Sequence, residues 1–259
     1  VMNIHGGDIV TIDKTSEKLL SIAIPLLVKS SLIVVPSEYF KNIVLDKIPG
    51  IVSKQLFVSG SGGVDKKVFT CLNSHIISTG TILYVSRIDT GKGWDVLIDA
   101  VSELKSRGKI AGKNIVFVGY GAQTELLEKK IKELDLLDCC SYLGPKNHHE
   151  LNELFNQADI MIFPTILYES LGLVGLEAMA CGCPVIGSNI GCLPEYIKDG
   201  ITGFLFEAGN SHELVERVIY FYKLTDKQRN AMRWQAVKTA GRYDSDEISR
   251  VLISKMKEI

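Results

Sequence analysis

Short apolar, β-rich runs at 32–35, 55–59, 81–86, 114–118, 159–163 and 184–187 alternate with segments whose apolar residues recur at helical spacing. Parallel strands need a long crossover between them, and a helix is the usual crossover, so this alternation predicts an α/β fold built on parallel sheet. Val1 to Ile4 also reads as a strand, leading into His5-Gly6-Gly7-Asp8. At the other end Ile248, Val251, Leu252 and Met256 draw an apolar stripe along a final helix.

Composition excludes only the extremes. A net charge of −1 with 46% apolar residues describes a globular chain able to bury a core. It holds no apolar run of transmembrane length and no signal-peptide pattern, so the cytoplasm is expected, with peripheral membrane contact left open. Of the six cysteines, Cys139 and Cys140 adjoin and Cys181 and Cys183 flank one glycine. None has zinc-knuckle spacing, and reduced structural thiols are expected. No metal site and no nucleic-acid partner are predicted.

The stretch from Asp159 to Ser188 carries the most chemistry. Residues 160–164 form an unbroken apolar run, as in a strand covered on both faces; Ser170 is the expected N-cap of the next helix, closed by Gly182 and Pro184. A helix starting at the carboxyl end of a parallel strand turns free N–H groups and its positive end toward the crevice of the sheet, where anions bind. Glu169 stands at the mouth of this helix and Glu177 two turns down, roughly 12 Å apart along a helical path. Each carboxylate can accept from paired sugar hydroxyls, while the N–H groups of Leu171, Gly172, Leu173 and Val174 face a phosphate between them. On spacing alone, a solvated glutamate and a helix-face glutamate are the simpler account of the pair.

The surrounding residues change that balance. ESLGLVGLEAMACGCPV resembles the donor-site signature of retaining GT-B glycosyltransferases, glycosyltransferase family 4 (group 1). The likeness continues through ILYVSRIDTGKGWDVLIDA (82–100), IVFVGYGAQTELLEKKI (115–131), SYLGPKNHHELNELFNQADIMIFP (141–164) and IKDGITGFLF (197–206), in the family's order, and covers nearly the whole chain. It implies a nucleotide diphosphate sugar as donor, a hydroxyl of a saccharide or lipid-linked glycan as acceptor, and no cofactor or metal. It also implies same-face transfer in which the leaving phosphate takes the acceptor's proton.

Residue by residue, the resemblance gives Glu177 the ribose, Glu169 the sugar hydroxyls, and Arg87 with Lys92 the diphosphate. Without it, Arg87 and Lys92 are ordinary loop charges beside Gly91 and Gly93, although two fixed cations there can stabilise a leaving diphosphate. His5 matches the family's histidine near the sugar-phosphate junction; a capping or packing histidine is the alternative. Gly119-Tyr120-Gly121 opens a helix after a strand, but Thr124 stands where a dinucleotide fingerprint needs its third glycine, so Gly119 and Gly121 are expected to admit a nucleotide's backbone approach. Leu143 resembles a base-pocket position and is equally a core residue. Glu195 is expected only to favour its helix dipole, and His75, His148, His149 and His212 to be solvated or capping. Ser86, Gly62 and Thr165 depart mildly from the family's usual glycine, asparagine and serine.

The expected organisation is a complete C-terminal Rossmann-like donor domain over 76–240, a partial N-terminal Rossmann-like segment over 1–75, and a helix over 241–259 packing back toward that segment. Residues 1–75 supply about half of such a domain. A second chain completing it is therefore an expected partner, and a non-catalytic nucleotide-sugar-binding module is the rival reading. A GT-B sugar-nucleotide epimerase is the other.

Overall fold

The computed structural model describes residues 1–4, 14–72 and 78–259. His5, Asp8 and His75 lie outside them. Two parallel sheets are present. The first has the order β1 (Met2–Asn3), β2 (Ile33–Val35), β3 (Leu56–Val58), with α1 (Lys14–Lys29) and α2 (Glu38–Lys47) as its crossovers.

The second sheet begins with β4 (Thr81–Val85), α3 (Trp94–Ser106), β5 (Asn114–Val118), α4 (Thr124–Glu133), β6 (Cys140–Tyr142) and α5 (His148–Gln157). It continues through β7 (Ile160–Phe163), α6 (Leu173–Ala180), β8 (Val185–Ser188), α7 (Leu193–Tyr196) and β9 (Gly203–Phe206). Then come α8 (Ser211–Lys223), α9 (Asp226–Ala240) and α10 (Ser245–Lys257). Its strand order is β6-β5-β4-β7-β8-β9, all parallel. The chain builds outward from β4 and then restarts beside it at β7, so the carboxyl ends of β4 and β7 flank the switch point where such sheets bind ligands.

Strand alternation sorts the core. Ile82 and Tyr84 face a layer with Trp94, Leu97, Leu214 and Phe221, whereas Leu83 and Val85 face one with Phe155, Leu176 and Met179. β6 and β9, absent from the alternating runs, complete the sheet.

Two local expectations are corrected. Ser170 does not cap α6: the cap is Gly172, left-handed at φ 75°. A side chain there would press on the Phe163 ring and the Tyr196 hydroxyl at 2.8 and 2.9 Å, and that hydroxyl donates to the Gly172 carbonyl at 3.0 Å. The stop at Gly182 is as expected, with φ 78° just past the last turn. On α10, Ile248 and Leu252 meet Val34 of β2 and Ser59 just past β3 across a small cavity, but Val251 and Met256 stay exposed.

Candidate functional site

A cavity of about 480 Å³ opens at the switch point. Its floor is the carboxyl ends of β4, β5 and β7, represented by Val85, Val118 and Phe163. The loop after β4 supplies Arg87 and Lys92 to the wall, and the loop after β7 supplies Glu169, Ser170, Leu171 and Gly172. The first turn of α6 adds Leu173 and Val174, and Gly119 closes the side. These sequence-predicted residues therefore converge.

The glycines explain how the loops come so close. Gly93 precedes α3 with φ 76°, and a Cβ there would overlap the Pro164 carbonyl; a Cβ on Gly119 would overlap that of Ser86. First-turn amides of a helix lack intrahelical acceptors. The Gly175 N–H turns back to the Gly172 carbonyl at 3.0 Å, while Leu173 and Val174 face the cavity.

Lys92 Nζ lies 2.8 Å from Glu169 Oε1, with the two side chains only 13% and 17% exposed. The fully buried Thr165 hydroxyl donates to the same Oε1 at 2.9 Å. The groups assigned to phosphate and to sugar thus satisfy one another here. Arg87 is 70% exposed and paired with Asp89 at 2.9 Å.

Glu177, Gly121 and Leu143 are not on the cavity wall. Glu177 sits one turn beyond Val174, its carboxyl pushed above the ordinary range by burial and pulled back in part by nearby His148. No described residue donates a hydrogen bond to it. Gly121 packs its backbone on Asp89 and Ile88, and Leu143 is exposed after β6.

Sequence reasoning passed over Lys146, Tyr120 and Ser61, all on the wall. Lys146 pairs with Glu150 at 3.0 Å. Its position just past a parallel strand's carboxyl end was the available signal. Among the described residues the wall carries Arg87, Lys92 and Lys146 against one carboxylate, Glu169, so its charge favours an anion.

Glu195 has more than its own helix to serve: its carboxylate accepts from the Tyr39 and Glu38 amides at 2.6 and 3.2 Å, capping α2 from across the molecule. Among the described residues no cluster of three or more His, Cys, Asp or Glu could hold a metal, and no helix is long and apolar enough to cross a membrane. None of the six cysteines forms a disulfide, and five of them are buried.

Comparison with known proteins matches residues 78–239 to the family described as glycosyl transferases group 1. A D-inositol 3-phosphate glycosyltransferase of Paenarthrobacter aurescens is 35% identical over 155 residues, covering 56% of this chain and 38% of that protein. One from Mycolicibacterium smegmatis is 29% identical over 197 residues, covering 75% and 43%. The chain thus spans about two fifths of the length of these curated relatives. Among solved structures, Anabaena HepE in complex with UDP and glucose superposes with a TM-score of 0.82 at 21% identity, covering 100% of this chain and 71% of HepE. Sucrose-phosphate synthase from Thermosynechococcus elongatus gives 0.82 at 20% identity, covering 99% and 67%. The α/β arrangement of parallel sheets is that of GT-B glycosyltransferases.

Proposed function

Since this chain belongs to the group 1 glycosyl transferases, we propose that it binds a UDP-sugar and serves a retaining, family 4 transfer of that sugar to a hydroxyl of a saccharide or lipid-linked glycan. The observation that carries this reading is the convergence of Arg87, Lys92, the first-turn amides of α6 and Glu169 on one cavity at the switch point. UDP is the nucleotide held by the HepE neighbour, and a cavity wall with three cations suits its diphosphate.

In the proposed reaction the bond from sugar C1 to the β-phosphate oxygen breaks and the acceptor oxygen bonds to C1 on the same face. The leaving phosphate takes the acceptor's proton, so no separate protein base is needed. Arg87, Lys92 and the Leu173 and Val174 amides stabilise charge developing on that phosphate, a role that requires no metal. Lys92 exchanges Glu169 for phosphate oxygens, and Glu169 turns to the sugar hydroxyls. Glu177, which accepts no hydrogen bond from the described residues, takes the ribose hydroxyls. Acceptor transfer is assigned to the assembly in which the acceptor side is whole, whether one polypeptide or two. The reading puts it in the cytoplasm, at the membrane surface where the acceptor is lipid-linked.

A thermal-shift panel of UDP, UDP-glucose, GDP-mannose and ADP-glucose tests the donor assignment, because a ligand of the folded state raises apparent stability by mass action. UDP and UDP-glucose should raise the midpoint. No response to any of the four would remove the donor site.

A further inference from the structure

Three elements meet beside the donor cavity, and of these the loop carrying Glu169 also lines it. The α2 helix belongs with the three-stranded sheet, whereas α7 and the loop carrying Glu169 belong with the six-stranded one. Glu195 on α7 binds the Tyr39 and Glu38 amides at 2.6 and 3.2 Å. The Ser37 hydroxyl accepts from the Phe40 amide at 3.3 Å, so the opening amides of α2 are already engaged.

Contact also runs through the rings. Tyr39 stacks on Tyr168 with centroids 5.9 Å apart and planes within 9°, and Tyr168 immediately precedes Glu169. From the other side, the Cys192 thiol at the start of α7 donates to the Glu169 carbonyl at 3.1 Å. The loop is thus held on one side by α7 and on the other by α2, while α2 and α7 are joined by Glu195. Tyr168 is 53% exposed, so trimming it leaves no buried cavity, whereas Tyr39 is half-buried against the core and the Phe40 ring.

From this closed triangle we propose that Tyr39, Tyr168 and Glu195 are positioning residues: docking of α2 on α7 holds the loop at 166–169 and so sets the Glu169 carboxylate for the donor's sugar. The assignment to a sugar rests on the donor reading above. The mechanical part, that the stack orders the loop, does not.

The consequence is selective. Glu169 is assigned to sugar hydroxyls and the cations to the diphosphate, so loosening the loop should weaken UDP-glucose binding and leave UDP alone. The test uses the full chain with Tyr39→Ala and Tyr168→Ala, and Tyr39→Phe as the variant that keeps the ring. Amide hydrogen exchange is followed at residues 166–172 without ligand, and UDP and UDP-glucose affinities are measured by calorimetry. Both alanine variants should exchange roughly three- to tenfold faster in that loop, the range a stacked aromatic pair supports. UDP-glucose should weaken by a similar factor with UDP unchanged, and Tyr39→Phe should behave as wild type. Unchanged exchange in both alanine variants, or equal loss of UDP and UDP-glucose, would overturn the proposal. Wild-type protein binding neither nucleotide would instead defeat the donor reading, with the exchange rates still deciding whether the clasp exists. Should Tyr39→Ala fail to fold, Tyr168→Ala reads the same contact from its exposed side.

Discussion

Among the described residues, Lys92 and Glu169 form the one ion pair on the cavity wall with both partners largely shielded from water. Removing one charge strands the other, which costs more than the pair itself contributes. Lys92→Met should lower stability by about 2 kcal/mol, below the full buried-pair figure because some exposure remains. Adding Glu169→Gln should restore part of it, as read by urea unfolding; a double variant no better than the single would show that charge is not the cause.

Glu177 behaves oppositely. Burial raises its carboxyl above the ordinary 4.5, so folding disfavours the ionised form; the penalty is full above the raised value and fades as pH falls through it toward 4.5. Glu177→Gln should therefore melt higher at about pH 7.5 and lose that advantage in acid, each ~1 kcal/mol of relief being worth about 2–4 °C. Glu177→Ala should weaken UDP-sugar binding about tenfold to a hundredfold, one or two charge-assisted hydrogen bonds. Unchanged affinity in calorimetry would take Glu177 out of the site. Glu169, Lys92 and Arg87 could be placed at one crevice because each lies in a loop that follows a strand's carboxyl end, but only the family resemblance set them apart from ordinary loop charges. The partner of Glu195 could not, since it lies 156 residues away at Tyr39.

At the scale of elements, α6 depends on a conformation rather than on a cap side chain. Its start was misread at Ser170 because serine is a common N-cap, whereas the need for glycine at 172 arises only when Phe163 and Tyr196 close over it. Gly172→Ala should cost about 2 kcal/mol or more, from the left-handed backbone and from those two contacts. The first-turn amides should shift with it, weakening UDP and UDP-glucose together, unlike the Tyr39 variants. Denaturant midpoints and calorimetry would check both halves. The central strands were legible as apolar runs because helices cover both their faces. β6 and β9 were not, being short edge strands: β6 carries Ser141 in mid-strand, and β9 opens on Gly203.

Across the whole molecule, the two sheets are joined by contacts of unequal worth. Lys67 and Asp246 pair at 3.1 Å with side chains 79% and 74% exposed, so water screens the pair and it contributes little. The stronger links are the backbone exchange in which Val64 N–H meets the Tyr243 carbonyl at 2.6 Å and Ser245 N–H meets the Val64 carbonyl at 3.1 Å, the Ile248 and Leu252 contacts of α10, and Glu195 on α2. None of the cavity-wall residues lies beyond 243. Ending the chain at Tyr243 removes α10 and one of the two backbone links while leaving the donor cavity whole. UDP should then bind as in the intact chain, because every group assigned to it remains. The three-stranded sheet, left with Glu195, the Tyr39–Tyr168 stack and one backbone link, should open more often, so limited proteolysis within residues 1–60 should accelerate with the six-stranded part resistant. Cleavage at the wild-type rate would mean that Glu195, the Tyr39–Tyr168 stack and the Val64–Tyr243 link hold the sheets together without α10, whereas lost UDP binding would mean that α10 supports the donor cavity from a distance.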